Sequence, residues 1–311
     1  MTVFYQSKTF LQHETGAHPE NPQRLRAVMD EVAAEQIASL TVENDPAVKN
    51  GQEIERVHTA AYLKSVAYFC AEGGGRIETD TVVCPRSFEV ARYAAGCAVK
   101  AVDQVVQGKV KRVFCAVRPP GHHALSNQAM GFCLINNIAV AARHAIVHHQ
   151  LNRVLIVDWD VHHGNGTQDI FYEEDQVYFF SAHRHPFYPG TGMGEETGVG
   201  KGLGTIWNLP LAFGISREKY FQEFERMLLQ AAEKCKPELV LISAGFDAHK
   251  DDPIGSLGLE TEDFGRLTRL VAGVADQYCQ GRIISLLEGG YNPQKLAESV
   301  VCHLKELGTA A

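Results

Sequence analysis

The sequence predicts an α/β fold, a mainly parallel β-sheet with helices on both faces. Two observations predict it. Short β-branched and leucine-rich runs take turns with longer amphipathic stretches along the chain. Polar signatures then sit at the carboxyl ends of four of those runs, where ligands of such sheets bind.

Taken in order, the strands are expected at residues 112–117, 154–158, 177–181, 205–209, 239–243 and 283–287. Most read as buried on both faces, because they lack the apolar–polar alternation of a half-exposed strand. Helices are expected at 88–107, 138–149, 217–234, 262–280 and 293–307. The last has a clear start, since Asn292 can cap it and Pro293 suits the first helical position. Residues 189–204 are glycine-rich and read as an irregular surface loop near the rim. Gly198–Gly204 lacks the Gly-Lys-Ser/Thr ending of a phosphate cradle.

Composition bounds the function. The 311 residues are 45% hydrophobic and 21% charged, ordinary for a globular chain with a large core. No linker, repeat or low-complexity segment divides them, so one domain over 1–311 is expected. A net charge of -8 argues against nonspecific binding to nucleic acid or to an anionic membrane, which need basic surfaces. It leaves a basic peptide or a polyamine open as substrate. The eight cysteines form no Cys-x-x-Cys pair, and no signal or membrane-spanning run is present. A reducing cytoplasm is the expected compartment.

The strand ends carry the chemistry. The first strand runs into Pro119-Pro120-Gly121-His122-His123. The second ends at Asp158-Trp159-Asp160-Val161-His162-His163-Gly164-Asn165. Two later ones end at Gly245-Phe246-Asp247 and at Glu288-Gly289-Gly290-Tyr291. Asp160 and His162 alternate along an extended strand end, so both can point to one side. Asp247 can supply a third ligand. Two carboxylates and one imidazole leave a position open for water and substrate, which suits catalytic zinc; iron(II) or cobalt would accept the same ligands. Asp158 can instead orient an imidazole.

His122 and His123 are adjacent and should diverge, each needing its own partner. Asp158 is available for one and Asn165 for the other. A carboxylate raises basicity more than an amide does, so the two rings should titrate differently. Tyr291 follows two glycines, and its hydroxyl can stabilise an oxyanion. Phe132 and Tyr188 are candidates for a pocket wall. His148 and His149, near a helix end, read as ordinary loop histidines.

These motifs together resemble the zinc-dependent histone deacetylase family in its broad sense, which includes bacterial acetylpolyamine and acetoin-related deacetylases. The resemblance runs from His18-Pro19-Glu20-Asn21-Pro22-Gln23-Arg24 through Arg118–Ala124, Gly131-Phe132-Cys133, 157–166, Pro189-Gly190-Thr191-Gly192 and Ser243–Asp247 to Glu288–Tyr291. It implies a single-domain arginase/deacetylase fold with an eight-stranded parallel sheet. It implies zinc on Asp160, His162 and Asp247, His123 as general base then acid, and His122 as an electrostatic partner held by Asp158. Tyr291 would polarise the acyl carbonyl, and Gly131, Phe132 and Tyr188 would line the tunnel for an acyl-lysine stem.

The resemblance also implies potassium. Asp158, Asp160, His162, Ser181 and Ala182 match one site, and Phe171, Glu174 and Val177 a second. Asn165 stands where class I members carry Asp, as in the class II branch. Thr81 falls near the position that grips the substrate backbone. Ile254 occupies a gatekeeper position where some polyamine deacetylases carry Glu, so an apolar residue there favours acetyl-lysine, in a peptide or a small amide, over an acetylpolyamine. A monomer or small homo-oligomer is expected.

Two other readings differ in kind. A dimanganese ureohydrolase shares the fold but needs more aspartates, and His249 stands where one would be expected. A noncatalytic acyl-lysine or acetate sensor would have no need to keep both His123 and Tyr291.

Overall fold

The computed structural model describes residues 2–48 and 52–309. Its strands are β1 (Thr2–Gln6), β2 (Leu40–Asn44), β3 (Gly75–Arg76), β4 (Val82–Val83), β5 (Arg112–Cys115), β6 (Val154–Asp158), β7 (Val177–Arg184), β8 (Ile206–Leu211), β9 (Leu239–Ala244) and β10 (Ile283–Leu287). Its helices are α1 (Pro22–Glu35), α2 (Ala60–Ala71), α3 (Ser87–Val106), α4 (Asn137–Val147), α5 (Asn165–Phe171), α6 (Arg217–Cys235), α7 (Thr261–Cys279) and α8 (Pro293–Thr309).

Eight strands form one sheet in the order β2-β1-β5-β10-β9-β6-β7-β8. Every neighbouring pair in it is parallel. β3 and β4 form a separate antiparallel pair. The central strands β5, β6, β9 and β10 are buried at every residue. Helices therefore cover both faces. On one side α1, α8, α7 and α6 pack in succession; α2, α3 and α4 form the other set. Side chains such as Phe114 and Leu241 are fully buried, each stabilising the fold by roughly 1.5–3 kcal/mol.

The six expected strands and five expected helices are all present, with shifted ends. The strand expected over 112–117 stops at Cys115, because the Val117 N–H turns back to the Cys115 carbonyl. The helix expected over 138–149 stops at Val147. β1, β2, β3, β4, α1, α2 and α5 lie outside those expectations. The cap expected for α8 is present: the Lys295 N–H donates to Asn292 Oδ1 at 3.2 Å. Residues 189–204 are irregular apart from one 3-10 turn at Gly200–Gly202.

The order places β10 between β5 and β9, in the middle of the sheet. The loops after β5, β6, β9 and β10 thus leave four adjacent strands at one rim.

Candidate active site

The chain past β6 carries Asp160 and His162 on alternate positions, and the chain past β9 carries Asp247. Their ligating atoms lie within 4.8 Å of one another and all three residues are buried. His162 Nδ1 is 3.0 Å from Asp160 Oδ1 and 3.2 Å from Asp247 Oδ2. One ring proton cannot serve both oxygens. Asp247 Oδ2 is left buried with no hydrogen bond.

The other carboxylate oxygens are fixed by backbone. Asp247 Oδ1 accepts from the Val161 N–H at 2.9 Å, and Asp160 Oδ2 from the Gly289 N–H at 2.8 Å. A Cβ at Gly289 would collide with Asp247 Oδ2 and Asp160 Oδ2, so glycine leaves a cradle open there. Burial, with the charge of Asp160, pushes the Asp247 carboxyl up to about 7. Burial opposes charge on His162, but Asp160 and Asp247 outweigh it and raise the ring to about 9. Buried carboxylates crowded this closely are costly without a cation. The unsatisfied oxygen, the open cradle and the Asp-His-Asp donor set all fit a divalent metal with an open coordination position.

The two histidines of the β5 loop do not diverge, their rings lying side by side, but each takes its expected partner. His122 Nδ1 donates to Asp158 Oδ2 at 2.9 Å, and His123 Nδ1 to Asn165 Oδ1 at 2.7 Å. Their ring centroids are 4.0 Å apart. Burial works against charge on His122, yet Asp158 and then Asp160 raise it to about 10. Burial, followed by repulsion from His122 and His162, holds His123 well below the usual imidazole range. The carboxylate partner thus favours charge on His122, while burial and its neighbours disfavour charge on His123.

Tyr291 follows β10. Burial holds its hydroxyl in the protonated form, far above the usual phenol range. The Arg24 guanidinium lies 4.8 Å from its ring centroid. Its backbone N–H donates to Asp252 Oδ2 at 2.6 Å, while Asp252 Oδ1 accepts from Ile254 and Gly255, both at 2.9 Å. The Ile254 turn and the Tyr291 loop are thus joined through one carboxylate.

Phe132 sits edge-on to Tyr291, with centroids 5.6 Å apart, and has a positive φ of 69°. Tyr188 lies edge-on to His123 at 5.2 Å and to His162 at 6.0 Å. Tyr188 thus stands against the histidines, and Phe132 against Tyr291. Gly131 is buried, and its N–H donates to Asp80 Oδ1 at 3.1 Å. Thr81 is 1% exposed, and its Oγ1 accepts from the Phe132 N–H at 3.1 Å. Its hydroxyl therefore positions Phe132 rather than facing solvent.

Asp158 pairs across the sheet with Ser181, and the Ser181 hydroxyl lies 2.9 Å from His183 Nδ1. Phe171, Glu174 and Val177 lie elsewhere, between the end of α5 and the start of β7. The Glu174 carboxylate is engaged by Arg143 at 2.5 and 2.8 Å.

Several supporting residues make contacts that no sequence signal records. Glu20 is 1% exposed and accepts from Arg118 Nε at 2.5 Å, Arg118 Nη2 at 2.8 Å and Arg24 Nη1 at 3.0 Å. Arg24 also donates to the carbonyls of Gly290 at 2.5 Å and Glu288 at 2.6 Å. Glu288 Oε2 accepts from the Gly121 N–H at 2.6 Å and the His122 N–H at 3.2 Å. Phe187 stacks on His162, with centroids 5.1 Å apart. Glu20 and Arg24 belong to the 18–24 motif and Arg118 opens the β5 loop, so the motifs named them, but only three dimensions show that they touch.

Comparisons with known proteins agree with this geometry. The histone deacetylase domain pattern matches residues 18–307. The chain is 38% identical to a histone deacetylase-like amidohydrolase of Pseudomonas aeruginosa, over 88% of this chain and 72% of that protein. It is 37% identical to a probable deacetylase of Archaeoglobus fulgidus, over 93% and 80%. The crystal structure of the HDA15 HD domain superimposes with a TM-score of 0.93 at 36% identity, covering 100% of this chain and 88% of that one.

Proposed function

This chain belongs to the histone deacetylase family, with its arginase/deacetylase fold, and we propose that it is a zinc-dependent deacetylase acting on N-acetyl-lysine. Membership of the family supports a hydrolase acting on acetylated substrates. The observation that carries the finer reading is the unsatisfied Asp247 Oδ2, set between His162 and the cradle at Gly289, beside two histidines with different partners, a carboxylate and an amide.

Asp160, His162 and Asp247 would hold the zinc, which when bound supplies Lewis acidity toward the acyl oxygen and acidifies water. His123, with Nδ1 fixed by Asn165, takes a proton from the attacking water at Nε2. Cationic His122, held by Asp158, offsets negative charge that develops in the site. The Tyr291 hydroxyl donates to the acyl oxygen as it becomes an oxyanion. His123 then gives its proton to the leaving amine. Gly131, Phe132 and Tyr188 enclose the acyl-lysine stem.

Ile254 favours acetyl-lysine in a peptide, protein or small amide, since an apolar gatekeeper offers no charge to a distal ammonium. Potassium on backbone and side-chain oxygens around Asp158 and Ser181, with a second ion near Phe171, Glu174 and Val177, completes the assignment. We place the enzyme in the cytoplasm as a monomer or small homo-oligomer, its described residues forming one catalytic domain. The unpaired state of all eight cysteines suits a reducing compartment.

The test is kcat/KM of the zinc-loaded enzyme on an acetyl-lysine peptide against N-acetylputrescine, with a chelator control. Preference for the peptide, abolished by chelation, is expected. Preference for N-acetylputrescine would keep the amide chemistry and overturn the substrate; turnover untouched by chelation would overturn the metal.

A further inference from the structure

We propose that Asp103, His144, His148 and His149 form a second zinc site, structural in type, remote from the catalytic centre. His148 and His149, which read in sequence as ordinary loop histidines, do not behave as such. The four residues bring one ligating atom each to within 4.8 Å of one another.

The local sequence explains the cluster. His144 and His148 are four residues apart, so they share one face of the last turn of α4. Their rings stack at 4.8 Å with an interplanar angle of 11°. His148 caps α4, its N–H bonding the His144 carbonyl, and His149 follows as the chain leaves the helix. The His149 ring stands edge-on to both, at 5.3 Å from His144 and 4.8 Å from His148. Asp103 reaches across from α3: its Oδ1 lies 2.8 Å from His144 Nε2 and 2.7 Å from His149 Nε2.

Hydrogen bonding to Asp103 does not satisfy this group. One carboxylate oxygen serves two imidazoles and gives His148 nothing. His144 is 3% exposed, and its Nδ1 is buried without a partner. Three imidazoles around one carboxylate at a helix C-terminus, where the backbone carbonyls favour positive charge, make a complete set of four protein ligands. A closed set is the mark of a structural zinc site, in contrast to the open Asp160–His162–Asp247 set. Tetrahedral zinc needs ligand atoms about 3.4 Å apart, so from a spread of up to 4.8 Å the cluster must contract by at most about 1.4 Å. His148, exposed at the helix end, can make that movement by a change of rotamer.

The site is far from the chemistry. The cap of α4, Asn136, donates to the Ala124 carbonyl beside His123. The histidines lie toward the opposite end of that helix, His144 about 12 Å and His148 about 18 Å along it at 1.5 Å per residue. Zinc here would clamp α3 to α4 and leave the reaction untouched. This proposal stands on residues outside the deacetylase site and does not depend on that reading.

The experiment is zinc content per full-length chain after exhaustive dialysis against metal-free buffer. Two zinc ions are expected for wild type and one for His148→Ala/His149→Ala, with kcat/KM on the acetyl-lysine peptide unchanged. Asp160→Asn/Asp247→Asn should retain one zinc. Titrated with cobalt(II), that variant should show the visible absorption of tetrahedral cobalt, lost when His148→Ala/His149→Ala is added. If Asp160→Asn/Asp247→Asn does not fold, the comparison of wild type with His148→Ala/His149→Ala decides alone. Equal zinc in wild type and His148→Ala/His149→Ala, or cobalt spectra without tetrahedral bands, would each overturn the second site.

Discussion

Replacing Glu20 with Gln should destabilise the protein and disturb catalysis together, although Glu20 lies more than 100 residues from His122 in sequence. The carboxylate is buried and paired with two fully buried guanidiniums, Arg24 and Arg118. His13 Nε2 lies 3.3 Å away on a further side. Glutamine keeps the shape and removes the anion, leaving two buried cations without a counter-charge. Breaking a buried pair of this kind costs about 3–5 kcal/mol. For a chain of this size Tm falls by about 1.5 °C per kcal/mol, so the expected loss is about 5–8 °C. Activity should fall as well, because Arg118 opens the loop of His122 and His123 while Arg24 holds the carbonyls of Glu288 and Gly290. The assay is thermal unfolding at pH 7 followed by circular dichroism, with kcat/KM measured well below the transition.

The sign of the pH dependence follows from the same pairing. Burial alone would raise the Glu20 carboxyl, but Arg118 outweighs it and holds the group well below the usual carboxylate range. A depressed carboxyl stabilises the fold fully above its unfolded value, about 4.3, and loses that contribution as the pH falls toward the folded value. The gap in Tm between wild type and Glu20→Gln should therefore be widest at neutral pH and narrow below about pH 4. An unchanged Tm at pH 7, or a gap that widens in acid, would refute the reasoning.

Two further outcomes test the site directly. Gly289→Ala places a methyl group against the unsatisfied oxygen of Asp247 and against Asp160; with circular dichroism unchanged, zinc content should drop and kcat/KM fall about 100-fold, the scale of a misplaced site, whereas full zinc occupancy would show that the cradle is not needed. Asn165→Asp gives His123 a carboxylate partner in place of an amide. That raises the basicity of His123, so the acid limb of the kcat/KM profile should move to higher pH, on the order of one unit, and an unmoved limb would remove His123 from the role of base.

Cover by helices on both faces made the central strands legible in sequence. β6, Val-Leu-Ile-Val-Asp, and β10, Ile-Ile-Ser-Leu-Leu, are continuous apolar runs because helices cover both their faces. β2, Leu-Thr-Val-Glu-Asn, is a partly exposed edge strand and carries no such run. α1 begins with Asn21 and Pro22, the same signal that located α8, but its buried Arg24 interrupts the apolar stripe. α5 is only seven residues long and opens on Asn-Gly-Thr.

In the site, Asp160, His162, Asp247 and the partners of His122 and His123 were legible because rigid strand ends deliver them. Glu20, Glu288 and Asp252 act by accepting hydrogen bonds from backbone or arginine far away in the chain. Asp103 and His144 meet only because α3 packs on α4. No local period records such contacts.

The central position of β10 bears on how the protein comes off the ribosome. Until residue 283 emerges, β5 has no neighbour on one side, and β9 has none on the side facing it. The nascent chain can form two separate half-sheets, one with the histidine loop and the other with Asp160, His162 and Asp247. The final strand joins them and delivers Glu288, Gly289 and Tyr291 in the same act. Hydrolytic competence would therefore arrive all at once and late in synthesis, and a chain cut short before β10 would hold every ligand for a metal yet never bring them to the imidazoles.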